Sequence, residues 1–220
     1  MDKSKKTALF STDKKDNVVS FASSLIEMGW RIIASSETIE ELRSHDIIID
    51  DVASFAGIAD DYGFPPTLHP KIEAALTMDV DFRIDLVYDV PYSLNKGNDV
   101  GGHTLLALGA KGNRIVVFDQ VDMEKVLCEI KNSSSHNSIT DEFRQLLIDK
   151  VNGHIAIHYF TLSRREGISL YDGLIGKSNL KIMHGENPYQ TPAELFISEN
   201  QDKFSLDNFD LVLFISSKAR

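Results

Sequence analysis

The chain has 220 residues, of which 42% are hydrophobic and 25% are charged, and its formal net charge at pH 7 is -10. This composition is typical of a globular protein with a buried core. An acidic chain with a pI near 5.1 lacks the clustered Lys and Arg that a nucleic-acid or anionic-membrane surface requires. The sequence therefore predicts no nucleic-acid partner and no membrane partner. A small anionic ligand in one local basic pocket stays compatible with the charge.

The single cysteine, Cys128, excludes an intrachain disulfide and a zinc cluster built from thiolates. The basic start MDKSKK runs straight into a strand-like segment, without the apolar run and cleavage site of a signal peptide. No stretch approaches the roughly 18 apolar residues of a membrane span. We therefore expect a cytoplasmic protein.

Strand-like and helix-like segments alternate through the first 130 residues. Apolar, β-branched runs predict strands at 7–11, 30–35, 45–52, 82–90 and 113–120. Helical patterns lie between the strands at 18–25, 101–112 and 121–132. Two further helices are predicted to begin at Thr38, whose spacing to Glu41 fits a capping box, and at Pro70. This alternation predicts an α/β fold with an open, doubly wound, mostly parallel sheet.

The remainder of the chain changes character twice. Residues 131–176 predict a helical linker, which Gly153 and Gly167 divide into two or three helices. Short strand-like pieces follow from residue 177. The sequence thus predicts a nucleotide-binding domain at 1–130, the linker at 131–176 and a short β segment at 177–220.

Polar residues collect where the predicted strands end, which is where ligands bind in sheets of this kind. After the second strand, Ser35, Ser36 and Thr38 supply three hydroxyls that suit a phosphate, with helix capping by Thr38 as the alternative. Lys14 or Lys15 offers a counter-charge for that phosphate, with simply solvated lysines as the alternative.

Two further segments carry candidate chemistry. A Pro-rigid loop holds Thr67 and His69, the latter as readily a structural histidine as a catalyst. Downstream, Asp99 precedes two glycines, Gly101 and Gly102, whose backbone N–H groups can approach a ligand closely; Lys111 follows about three helical turns later. The alternative for the segment from Asp99 to Lys111 is that its polar residues are only solvated surface groups.

Six segments, taken in their order, resemble the bifunctional purine-biosynthesis enzymes that join an IMP cyclohydrolase domain to an AICAR transformylase domain. The segments are ALFSTDK, VVSFASSLIEMGWRIIASSET, GFP with TLHPKI, IDLVYDVPY, DVGGHTLLALGAK and HGENPYQTPAELF. The resemblance runs from about residue 7 to 197, and most of the transformylase is absent. It implies a methylglyoxal-synthase-like fold for the first domain and a homodimer.

The resemblance also implies an activity and a site. The cyclohydrolase closes the ring of formyl-AICAR, with loss of water, to give IMP, and it needs no metal or redox cofactor. The family's catalytic positions correspond here to Thr67, Tyr92, Asp99 and Lys111. Lys111 is expected to stabilise negative charge or donate a proton, and Asp99 to orient or accept one. The residues expected to bind substrate are Lys14, Ser35, Ser36, Thr38, Gly101 and Gly102.

Several positions depart from the family pattern. The Arg-Val-Lys that precedes T-L-H-P in the family is missing, and the two glycines of the family's phosphate loop are Ser36 and Glu37. Met183, His184 and Tyr189 replace family residues in the transformylase strand, which excludes that activity. A second hypothesis is therefore a weak or inactive relative that binds a purine nucleotide or another phosphorylated metabolite. A third, methylglyoxal synthase, has no place for the helical linker or GENPYQ.

Overall fold

The computed structural model describes residues 5–12, 16–58, 65–133, 138–164, 176–182, 193–198 and 214–217. Five parallel strands form one sheet in the order β3-β2-β1-β4-β5. Winding proceeds outward from β1 to β2 and β3, then returns to the other side of β1 for β4 and β5. The predicted fold class, an open α/β sheet with helices on both faces, is confirmed. The strands are β1 Thr7–Thr12, β2 Arg31–Ala34, β3 Asp50–Asp51, β4 Leu86–Val90 and β5 Ile115–Val117.

The helices start and stop at recognisable signals. Pro70 is the first residue of its helix, as predicted, and Gly29 follows the end of the first helix with a φ of 84°. A 3₁₀ turn, Pro66–Leu68, precedes the helix at Pro70. The helices are α1 Val18–Glu27, α2 Ser36–Ser44, α3 Val52–Ala56, α4 Pro70–Thr77, α5 Val100–Lys111, α6 Gln120–Asn132 and α7 Asp141–Ser163.

Two hydrophobic layers cover the sheet because successive strand residues point to opposite faces. Phe10 and Tyr88 belong to the layer under α1, α2 and α6, whereas Leu9 and Val87 belong to the layer under α3, α4 and α5. Helix α7 contributes Leu147 to the first layer, and Ile148 and Val151 to the second.

The predicted strand at 45–52 is largely wrong. Only Asp50 and Asp51 pair with β2, and Ile48 is 93% exposed. The side chain of Asp51 accepts a hydrogen bond from the backbone N–H of Ala53 at 2.7 Å, so it caps the unpredicted helix α3. The cap turns the chain away from the sheet after two paired residues.

The capping-box spacing predicted that the helix begins at Thr38, but the structure does not show this. The N-cap residue is Ser35, and Thr38 lies inside the first turn of α2. Its buried hydroxyl donates to the carbonyl oxygen of Thr12 at 3.0 Å and accepts from the N–H of Thr12 at 3.0 Å. Thr38 therefore joins α2 to the end of β1.

Helix α7 is continuous through Gly153, although the sequence predicted a break there. A glycine inside a helix costs only about 1 kcal/mol relative to alanine. Buried contacts on both sides of it, from Val151 and His158, hold the helix together. The second predicted break, Gly167, lies outside the described residues.

The chain divides into two compact units, Met1–Leu162 and Ser163–Arg220. In the second unit, the described residues form a three-stranded antiparallel sheet in the order β6-β7-β8. Its strands are β6 Gly176–Ile182, β7 Ala193–Ser198 and β8 Phe214–Ser217, which confirms the predicted β character of this segment. Among the helices that the structure describes, none has both the length and the apolar character for a membrane crossing.

Gly112 follows α5 at a point where a side chain cannot fit. A Cβ atom there would overlap the carbonyl oxygen of Leu76, which Arg114 also binds through its Nε at 2.5 Å. We expect Gly112→Ala to lower the free energy of unfolding by about 1–3 kcal/mol or more, because backbone must move to relieve the overlap.

Gly153→Ala provides the matched control. A Cβ at Gly153 meets nothing within 4 Å, so alanine should stabilise α7 by about 0.5–1 kcal/mol. Urea unfolding of both variants measures the two effects. Equal stability of the Gly112 variant and the wild type would contradict the packing described at the end of α5.

Candidate functional site

A cavity of about 350 Å³ opens at the carboxyl ends of β1, β2 and β4. Ser11 and Thr12 end β1, Ser35 follows β2, and Asp89 and Val90 end β4. The order of the sheet reverses between β1 and β4, and ligands bind at this position in open α/β sheets. Ser35 and Gly101 line the same cavity, which confirms that their loops share one edge of the sheet. The other lining residues are Pro65, Pro66, Thr67, Tyr92, Asn98, Asp99, Val100 and Gly102.

Asp99 organises the loop that leads into α5. It is the N-cap residue, and its Oδ1 accepts a hydrogen bond from the N–H of Gly102 at 2.8 Å. Its Oδ2 accepts a second bond, from the N–H of Tyr92 at 3.1 Å. The helix N-terminus also favours a negative charge here. The carboxylate is thus fixed at the cavity wall, and the Gly102 donor that we predicted for a ligand is used by the protein itself.

A second carboxylate, which the sequence analysis did not single out, lies beside the first. Asp89 lines the cavity and is 2% exposed. A Cβ atom on Gly102 would lie 2.9 Å from Asp89 Oδ1 and 2.9 Å from Asp99 Oδ2. Both carboxylates therefore converge on one turn of α5, where only glycine fits. The available signal was an acidic residue at the end of the apolar run LVYDV.

Three of the four predicted catalytic positions meet at the cavity. Thr67, from the 3₁₀ turn, is 5% exposed, and Asp99 and Tyr92 come from the loop between β4 and α5. The phenol of Tyr92 donates to the carbonyl oxygen of Asn98 at 3.3 Å, which helps to close this loop. The structure thus brings together residues that lie up to 32 positions apart in the sequence.

Lys111, the fourth expected catalytic position, does not join the other three, because it is absent from the lining of the cavity. It ends α5, of which Asp99 is the N-cap residue, and the length of the helix separates the two residues by about 18 Å. Its ammonium lies 3.8 Å from the carboxylate of Glu73, and its side chain is 67% exposed. About three turns of α5 therefore separate Lys111 from the cavity.

The predicted phosphate-binding set is only partly assembled. Ser35 and Gly101 line the cavity, whereas the hydroxyl of Thr38 is used by the backbone of Thr12. The backbone of Ser36 begins α2, but its side chain lies outside what the structure describes, as does all of Lys14. Among the described lining residues there are two carboxylates and neither lysine nor arginine.

A group of histidines lies behind Asp99. The buried His103 donates from Nδ1 to the carbonyl oxygen of Asp99 at 2.6 Å, since a carbonyl can only accept. Its ring packs against His158, with centroids 3.7 Å apart, and stacks on His154 at 5.4 Å. His69 is structural, because its Nδ1 caps α4 by accepting from the N–H of Lys71. Within the described ranges, no group of three or more His, Cys, Asp and Glu is arranged to hold a metal ion.

The histidine group predicts a pH dependence of stability. Burial, reinforced by His103 and His158, lowers the pKa of His154 from its ordinary 6.5 to about 4, despite the opposing charge of Asp119. The unfolded chain therefore takes up a proton before the folded chain does. The stability contributed by neutral His154 is complete above pH 6.5 and is lost as the pH falls toward 4.

We expect the melting temperature of the protein to fall between about pH 7 and pH 5, and His154→Phe to reduce that fall. Phenylalanine preserves the stacking on Phe118, whose ring centroid lies 4.4 Å from that of His154. Melting curves of both proteins over this range provide the measurement. Parallel pH profiles would show that His154 is protonated equally in the two states.

The proteins that match this sequence include several bifunctional purine biosynthesis proteins. The bifunctional purine biosynthesis protein PurH of Streptococcus gordonii is 34% identical over 225 residues, which cover 84% of this chain and 42% of that protein. PurH of Streptococcus suis is 32% identical over 223 residues, with the same shares. PurH of Thermoanaerobacter sp. strain X514 is 28% identical over 234 residues, covering 86% and 44%. The chain thus spans less than half the length of these relatives.

The structural comparison agrees with the fold. The crystal structure of ForH matches with a TM-score of 0.61 and 23% sequence identity, over 72% of this chain and 96% of that one. No family model matches the sequence. Over most of its own length, the chain is therefore homologous to a part of the bifunctional purine biosynthesis protein PurH.

Proposed function

We propose that this chain is an IMP cyclohydrolase-like protein of purine nucleotide biosynthesis, which closes the ring of formyl-AICAR to give IMP and water. One observation carries the proposal. Thr67, Tyr92 and Asp99 come from separate motifs of the cyclohydrolase resemblance, yet they line one cavity at the reversal point of the sheet. The homology to PurH supports the same pathway.

The reaction requires two proton movements. A carbon–nitrogen bond forms between the carboxamide nitrogen and the formyl carbon, the nitrogen loses a proton, and the formyl oxygen gains one. The carbon–oxygen bond then breaks as the formamide nitrogen loses its proton and forms the ring C=N double bond, and the oxygen leaves as water after a second protonation. A site for this chemistry holds the two groups in contact and supplies a proton acceptor and donors at the correct atoms.

The described residues divide these tasks. Both oxygens of Asp99 already accept backbone hydrogen bonds, so its role is to hold Tyr92 and the start of α5 in place beside the ligand. We assign the acceptance of the carboxamide proton to Asp89, the second carboxylate of the cavity, because its Oδ1 faces the same turn of α5 and its side chain is 2% exposed. The hydroxyl of Thr67 is suited to donate to the formyl oxygen, whereas Tyr92 must first release the carbonyl of Asn98, to which its phenol donates.

A second candidate function is nucleotide binding without efficient catalysis. The observation that favours it is the charge of the cavity, which has two carboxylates and no cation among its described lining residues. An oxyanion that develops during ring closure is stabilised by preorganised donors, which include the cationic side chains of lysine and arginine. Of the two lysines predicted for the site, Lys111 lies at the far end of α5 and Lys14 lies outside the described residues.

The test is ring closure of synthetic formyl-AICAR followed by absorbance, with IMP binding measured by calorimetry. We expect Asp89→Asn to lower kcat by about 10²- to 10⁴-fold, the range of a proton-transfer group, while IMP binding changes less than tenfold. Asp85→Asn is the matched control, since it removes the same charge just before β4, where Asp85 accepts from the N–H of Thr7. It should retain wild-type kcat.

Each result separates the candidates. A wild-type protein that binds IMP without closing the ring selects the binding function. A protein that does neither contradicts both. Full activity in Asp89→Asn would leave the cyclohydrolase proposal standing and remove Asp89 from it.

A further inference from the structure

Helix α7 presents a row of polar side chains toward the sheet domain. Lys150, His154 and His158 are spaced four residues apart, so they lie along one face of the helix. The apolar residues Leu147, Ile148 and Val151 adjoin this row and are buried. This face reaches from the end of β5 to the loop that precedes α5.

The first part of the row fixes the helix in place. The ammonium of Lys150 lies 3.1 Å from Asp119 Oδ2, contacts Asp122, and lies 5.6 Å from the ring of Phe118. His154 stacks on the same phenylalanine. These contacts anchor α7 against the β5–α6 turn and set its rotation about its own axis.

The last part of the row contacts the candidate site. His158 is 7% exposed, and its Nε2 donates to the side-chain Oδ1 of Asn98 at 3.0 Å. Burial and the neighbouring His103 lower the pKa of His158, which favours the neutral ring. The ring of His103 fixes His158 from one side, and Asn98 lines the cavity.

We propose that His158 is a positioning residue that fixes the side-chain amide of Asn98 so that its NH₂ group donates to an oxygen acceptor of the cavity's ligand. The amide has one acceptor and two donors. Because His158 binds the oxygen, the nitrogen is left for the cavity. A carbonyl, hydroxyl or phosphate oxygen fits this donor, and the identity of the ligand rests on the function proposed above.

The experiment has a ligand-free arm and a ligand arm on the full chain. In the first, the side-chain NH₂ resonances of Asn98 are compared by NMR in wild type, His158→Phe and His158→Gln. We expect His158→Phe to shift them and His158→Gln to restore them in part, because glutamine keeps a donor. His154→Phe, one turn earlier and without a bond to Asn98, should leave them close to wild type.

In the second arm, IMP affinity is measured for His158→Phe, Asn98→Ala and the double variant. We expect each single variant to weaken binding about 3- to 10-fold, the range of one hydrogen bond. If His158 acts through Asn98, adding His158→Phe to Asn98→Ala changes affinity less than twofold. A multiplicative loss in the double variant would overturn the proposal.

The two arms distinguish this inference from the proposed function. If the Asn98 resonances do not respond to His158→Phe, the positioning role is overturned, whatever the measured IMP affinity. If the resonances respond as expected but the protein does not bind IMP, the positioning role is supported and the purine ligand is rejected. Loss of folding in His158→Phe would be seen in its melting curve, and His158→Gln then carries the comparison.

Discussion

The paired hydrogen bonds of the Asp99 carboxylate hold the candidate site together. One oxygen caps α5 at Gly102, and the other binds the N–H of Tyr92, so a single side chain closes the loop between β4 and α5. A flexible loop of this length would place Tyr92 and Asn98 in many positions, at an entropic cost for every ligand bound. Asp99 removes that freedom before any ligand arrives. It does so at a helix N-terminus, where its negative charge is favoured.

The negative charge of Asp99 affects where the cavity can accommodate an anionic group of a ligand. The N-terminus of α5 is a natural anion-binding site, but here it receives protein carboxylates from Asp89 and Asp99. An anionic group of a ligand is therefore better accommodated at the other side of the cavity, near Ser11, Thr12 and Ser35. The N-terminus of α2 adjoins that side, since Ser35 is its N-cap residue. The cavity thus has an acidic side and a hydroxyl side, which would orient a ligand with unlike ends.

The sequence predicts what local signals determine. The parallel sheet, the helix that starts at Pro70 and the loop edge shared by Ser35 and Gly101 all follow from periodicity, proline geometry and the topology of parallel strands. Predictions failed where tertiary contacts outweigh local preference. The strand predicted at 45–52 pairs with β2 only at Asp50 and Asp51, where the Asp51 cap begins α3, and packing carries α7 through Gly153.

The site residues divide in the same way. Thr67 and Asp99 lie in loops that the predicted strands and helices already marked, whereas Tyr92 was assigned only through the resemblance to the purine-biosynthesis enzymes. Lys111 was misplaced because a motif that is continuous in sequence can run the length of a helix. His158 carries no local signal at all, since its partner Asn98 lies 60 positions earlier.

The strand order also sets the order in which the cavity is completed as the chain emerges during synthesis. β1 pairs with β2, only about 20 residues later, but its other neighbour, β4, follows more than 70 residues after it. A β1–α1–β2 unit can therefore form early, whereas the cavity wall that contains Asp89 must wait for a contact of high sequence separation, which is entropically slow to close. On this order of pairing, the hydroxyl side of the cavity would form before the acidic side. The cavity could therefore bind a ligand only after the domain is complete. Until β4 is synthesised, the edge of β1 that pairs with β4 would stay exposed in the nascent chain.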